Sequence, residues 1–100
     1  MLSTTSPSPS ASSKDLAVYL DYVEFWDPDC GDAFLMLNAR EALAAAPAGS
    51  LSVTEQEALV RADARLLALA RTAVGDTDDV EFLRLTAQAV MAQQSAATSA

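Results

Sequence analysis

From about residue 14 onward the large apolar side chains recur at three- and four-residue intervals without any sustained period-two alternation, so the chain predicts helices and no strands. Leu16, Tyr19, Leu20 and Val23 form one stripe. Their helix should open near Ser13, with Ser13 or Asp15 as cap, and stop around Phe25 or Trp26. Asp27 followed by Pro28 is a start signal, because proline disfavours helix at the residue before it and suits a first helical position. Gly31 weakens that start and leaves Asp29 or Asp32 as later caps. The second helix is expected to run through Phe34, Leu35, Leu37, Ala39 and Leu43 to about Ala46, where Pro47 and Gly49 end it. Thr54 and Glu57 have capping-box spacing ahead of a third helix with Leu59, Ala62, Leu66, Leu69 and Ala73 on its stripe, stopped by Gly75. Thr77 or Asp78 can cap a fourth, with Val80, Leu83, Ala87 and Val90 facing inward.

Short connections force neighbouring helices to run antiparallel. The expectation is therefore an all-α fold, a compact bundle of about four helices built as two helical hairpins, occupying residues 14–94. Residues 1–13 hold six Ser, two Thr and two Pro, and residues 95–100 are equally poor in apolar bulk. Both are expected to be disordered tails.

Composition narrows the function classes. The chain has 100 residues, 51% of them apolar, enough for one small core even though many are Ala. Fourteen acids against six bases give a net charge of -8, which repels phosphates and anionic lipid, so neither direct nucleic-acid binding nor membrane binding is expected. His is absent and Cys30 is the one cysteine. Serine triads, Cys-His pairs and His-ligated metals each lack a part. No enzyme activity and no cofactor are expected. The first residues lack both a positive region and an apolar run, and no stretch approaches the roughly 20 apolar residues of a membrane span. One unpaired cysteine suits a reducing compartment, so a cytoplasmic location is expected.

The individual motifs have plain readings. Asp27-Pro28-Asp29-Cys30-Gly31-Asp32 is rich in oxygen ligands, but a calcium loop counted from Asp27 needs Gly where Asp32 stands and Glu where Asn38 stands. Acids around Cys30 oppose thiolate formation. The pairs Glu24 with Asp27 and Asp63 with Glu81 read as solvated acids, and Glu57 with Arg61 as an i, i+4 surface ion pair. A helix-turn-helix reading of the last two helices fails because Asp78, Asp79 and Glu81 would meet phosphate at the start of the recognition helix. Small acidic four-helix chains look like acyl carrier proteins, but the Asp-Ser-Leu attachment motif is missing, Gly49-Ser50-Leu51 lacking the Asp.

Two excesses remain. Segment 15–32 interleaves Asp15, Asp21, Glu24, Asp27, Asp29 and Asp32 with Tyr19, Tyr22, Phe25 and Trp26 and contains no base. Not all these rings fit one core stripe, so at least one should be exposed. Rings as anchors and acids for steering are what a surface for a basic protein partner uses, and Asp21, Tyr22, Glu24, Trp26, Asp27 and Asp29 are the candidate binding residues. The second excess is apolar width: Phe34 to Leu37 point all round their helix, and Val60, Leu67 and Val74 widen the third beyond one face. That surplus favours self-association or a constitutive partner. The expected function is a non-enzymatic acidic helical interaction module: an adaptor, a small regulator or inhibitor, or a chaperone-like subunit. The alternatives are a DNA-mimicking inhibitor of a basic nucleic-acid-binding protein and a small carrier or minor enzyme.

Overall fold

The structure, a computed structural model, describes the backbone of residues 11–47 and 49–99 and the side chains of 12–95 apart from Ala48. It contains four helices, α1 (Ala11–Glu24), α2 (Phe34–Ala45), α3 (Val53–Thr72) and α4 (Asp78–Ser99), with no strand among the described residues. The all-α fold predicted by the spacing is the one formed. α1 and α4 each pack against both α2 and α3, while α1 and α4, like α2 and α3, face one another across the diagonals of the bundle. The hairpins α1–α2 and α3–α4 therefore hold together, and the connection between them crosses a diagonal.

The α1 and α4 stripes fall as the spacing requires: Leu16, Tyr19 and Val23 are buried with Leu20 half-buried beside them, and Val80, Leu83, Ala87 and Val90 are all buried. On α3, Ala62 and Leu66 are buried while Leu59, Leu69 and Ala73 pack at the margin. The face of α2 differs from expectation. Phe34 and Leu35 lie outside, and Met36, Ala39, Arg40 and Leu43 face the core. A ring of four apolar residues cannot all turn inward, and the rotation adopted is the one that delivers the Arg40 guanidinium to a carboxylate on α3.

Three helix starts move. α1 is already helical at Ala11, which puts Ser13 and Asp15 inside the helix and not at its cap. α2 begins at Phe34, not near Asp27, because Gly31 adopts φ +83°, a left-handed geometry that interrupts a right-handed helix. Asp27 instead closes a single turn, its Oδ1 accepting from Asp29 N at 2.9 Å. No side chain caps α2, so the roles expected for Asp27, Asp29 and Asp32 at its start are not taken up. α3 begins two residues earlier than Thr54 implies. Its capping box is Ser52 with Glu55: Glu55 N donates to Ser52 Oγ at 3.1 Å, and Ser52 N donates to Glu55 Oε1 at 2.9 Å. The sequence carries the same Ser/Thr-x-x-Glu signature at both registers. The earlier one also gains Ser13 Oγ on α1, which donates to Glu55 Oε2 at 2.7 Å.

The stop of α2 follows its breaker, but α3 ends at Thr72 with an extended Ala73 as its C-cap, which leaves Gly75, at φ +110°, in the turn beyond. α2 gives way at Ala46 ahead of Pro47, and Thr77 caps α4 by accepting from Val80 N at 3.3 Å. Helical backbone begins at Ala11 and reaches Ser99, so it extends into both segments expected as tails. Residues 1–10 and Ala100, on which the rest of that expectation falls, lie outside the described residues.

Candidate functional site

The acidic aromatic segment forms the end of α1 and the connection to α2. The last turn of α1 is completed by Phe25 N donating to Asp21 O at 2.9 Å, and Arg65 Nε reaches from α3 to Val23 O at 3.3 Å. A cation at a helix C-terminus satisfies a free carbonyl and the macrodipole together. The connection is held from below by α4. Asp79 accepts from Gly31 N at 2.9 Å and Ala33 N at 3.3 Å, and Thr77 Oγ1 donates to Pro28 O at 3.2 Å. The loop is thus tied to the start of α4 at three points.

On this frame Phe25 stands 72% exposed. With Asp21, Tyr22, Asp27 and Cys30 it lines an open pocket of about 300 Å³. Of the residues expected to bind a partner, Asp21, Tyr22 and Asp27 are brought together here. Glu24 lines a different depression, beside Leu20, Arg61 and Arg65. Trp26 is half-buried against the core, and Asp29 is exposed in the turn after Pro28. Phe25 is the exposed aromatic that the stripe argument required.

Burial, assisted by hydrogen bonding and charge from Asp32, pushes the Tyr22 hydroxyl up to about 12. The Cys30 thiol is also raised, by burial first, with the Asp79 charge acting in the same direction. A raised thiol is a poor nucleophile at neutral pH. Among the described residues no group of three or more Asp, Glu or Cys side chains converges as a metal ion would require. Of the four acids read as solvated, Glu24, Asp27 and Glu81 are exposed, but Asp63 is buried, because Arg40 and Tyr19 supply the donors that replace water at its carboxylate. Glu57 and Arg61 do not pair, since the salt bridge among the described residues is Arg40–Asp63. Ser50 is a loop residue whose Oγ donates to Pro47 O at 2.7 Å.

A polar network at the centre of the bundle is a feature that the spacing of apolar residues does not imply. Arg40 on α2, 2% exposed, sends Nε to Asp63 Oδ1 at 3.0 Å and Nη2 to Asp63 Oδ2 at 2.9 Å across the α2–α3 diagonal. Tyr19 on α1 donates its hydroxyl to Asp63 Oδ1 at 2.6 Å, and Gln93 on α4 accepts from Arg40 Nη2. The guanidinium lies 5.8 Å from the Tyr19 ring centre. Every helix contributes one member. Arg40 Nη1 is buried with no hydrogen-bond partner among the described residues. Both Asp63 oxygens are engaged by protein donors, which makes the network a structural tie. The signal for it in the sequence is Asp63 directly beside Ala62 on the α3 stripe, and Arg40 one turn after Met36 on α2.

Set against known proteins, the chain matches no family, no curated sequence and no solved structure. No helix among the described residues is long and apolar enough to cross a membrane.

Proposed function

We propose that this protein is a non-enzymatic interaction module of the cytoplasm that binds a basic protein partner through the end of α1 and the α1–α2 connection. One observation carries the reading. Phe25, a large ring left 72% exposed, stands beside the carboxylates Asp21 and Asp27 on a loop tied to α4. An exposed aromatic on a pre-organised frame can anchor a partner at small entropic cost, and the acids around it raise the association rate with a cation-bearing surface. The ring in the middle of the acids favours this reading over a DNA mimic, which needs an unbroken array of carboxylates.

The test is capture of partners from lysate of the protein's own cells at low and high salt, using wild type, Phe25→Ala and Asp21→Asn/Asp27→Asn. A basic partner that elutes with salt and is weakened at least about tenfold by each variant is expected. Melting temperatures should change little, because Phe25 and Asp21 are solvent-facing and Asp27→Asn keeps the Oδ1 acceptor for Asp29 N. Partner binding indifferent to salt and to all three substitutions would remove the reading.

A further inference from the structure

The depression between α3 and α4 differs from the acidic end in that its lining includes two arginines and no acid. In a chain with fourteen acids, residues 64–75 and 82–100 contain none, and of the arginines there Arg71 and Arg84 line the depression while Arg65 faces α1. The acids Asp78 and Glu81 stand on the first turn of α4, just beyond its end. Between the two helices runs a groove of about 540 Å³, open along its length. Its floor is the small side chains of Ala70 and Ala87 and its walls are Leu67 and Met91, the latter 51% exposed. In an antiparallel hairpin Arg71 and Arg84 share the end nearest the Gly75 turn. Arg84 Nη2 donates to Gly75 O at 3.4 Å, and neither arginine has a carboxylate partner among the described residues.

We infer that this groove is a docking site for an amphipathic α-helix of a protein partner that carries carboxylates beside its apolar stripe. A floor of alanines lets a third helix axis approach closely, and methionine adapts its shape to the incoming side chains. The paired guanidinium groups recognise carboxylates in bidentate geometry. An acyl chain is the weaker fit, since a small amphiphile needs most of its surface enclosed and this groove is open. A second copy pairing groove to groove in antiparallel register would bring no carboxylate to either arginine, because the groove's far end is carboxylate-free. The site is independent of the one around Phe25.

The experiment uses the full chain, isotope-labelled for NMR, titrated with synthetic helical peptides of about 18 residues bearing a leucine stripe flanked by Glu or by Lys, and separately with dodecanoate. The Glu-flanked peptide should perturb Leu67, Ala70, Ala87 and Met91 and leave Phe25 unmoved. The Arg71→Glu/Arg84→Glu variant should weaken it at least about tenfold and improve binding of the Lys-flanked peptide at the same residues. Phe25→Ala should leave this binding intact, so failure here is distinguishable from failure of the acidic-face reading. Any of three results overturns the inference: no Glu-peptide binding up to about 1 mM, equal binding of both peptides in the groove, or occupation by dodecanoate alone. A concentration-dependent dimer abolished by the arginine substitutions, without peptide binding, would also overturn it by making a second copy the occupant.

Discussion

At the scale of single residues, Arg40 and Asp63 are the positions where this chain departs most from an ordinary apolar core. Placing a guanidinium and a carboxylate at the centre of a small bundle has a desolvation cost that the pair's own attraction only roughly offsets, whereas removing one partner strands a buried charge. Asp63→Ala should therefore destabilise the fold by about 3–5 kcal/mol in urea unfolding. The triple replacement Arg40→Met, Asp63→Leu, Tyr19→Phe should recover all but about 1 kcal/mol of that loss; a triple variant as unstable as the single one would show that the ion pair itself is strongly net stabilising. The tyrosines offer a pH test. Burial, then hydrogen bonding to Asp63, raises Tyr19 above its ordinary value of 10.0, and burial with Asp32 raises Tyr22 to about 12. The folded state thus keeps protons that the unfolded state gives up, so this stabilising share is complete below about pH 10 and is lost as the pH rises toward the folded values. Absorbance titration should show almost no tyrosinate at pH 10.5 and a cooperative release of both on alkaline unfolding. Half-ionisation of one tyrosine near pH 10 would contradict the raised values.

Among the elements, the connection from α1 to α2 is held from elsewhere in the chain. Asp79 belongs to the first turn of α4, yet its carboxylate accepts two backbone N–H groups of the Gly31–Ala33 segment. Asp79→Ala should leave those donors unpaired, at a cost of about 1–3 kcal/mol, with amide exchange at Gly31 and Ala33 rising well above that of the α2 interior. Asp79→Asn, which keeps one acceptor oxygen, should fall between. Unchanged exchange in Asp79→Ala would mean the loop is held by its own turn geometry. The same dependence explains the misplaced start of α2. The Asp27-Pro28 signal is genuine as local chemistry and produces a turn, but Gly31 at φ +83° and the amides taken by Asp79 postpone the helix to Phe34. At Thr77 the capping bond, from Val80 N, is local and the sequence expectation holds, even though the same hydroxyl also donates to Pro28 O. At Ser52 the competing Thr54 register loses because Glu55 also meets Ser13 on another helix.

For the whole molecule, acids outnumber bases on a small surface. A net charge of -8 on 100 residues is a standing self-repulsion, and salt screens exposed charges far more than the buried Arg40–Asp63 pair. Raising NaCl from about 0.01 to 0.5 M should therefore lift the melting temperature by a few degrees; a fall would show that exposed ion pairs, not repulsion, dominate the surface. Such screening would also separate the two proposed surfaces from the fold, because steering at Phe25 weakens with salt while the apolar part of the α3–α4 groove does not. The acidic aromatic segment is legible in the amino-acid sequence, since four rings cannot share one helical stripe with Leu16 and Val23. That Phe25 is the ring left outside, with Trp26 against the core, depends on where α1 ends.

Periodicity and breakers by themselves determined that this chain is four helices with Leu16, Tyr19 and Val23, and Val80, Leu83, Ala87 and Val90, turned inward. Those are local consequences of side-chain spacing, of proline and of glycine, and they hold whatever the neighbours are. Only the tertiary structure decided which face of α2 is buried, that Arg40 reaches Asp63 across a diagonal, and that Asp79 caps a loop 48 residues away. Each of these joins two segments far apart in the chain. The free energy of a buried charge or an unpaired amide is set by the partner it meets in space, which spacing along one helix does not encode.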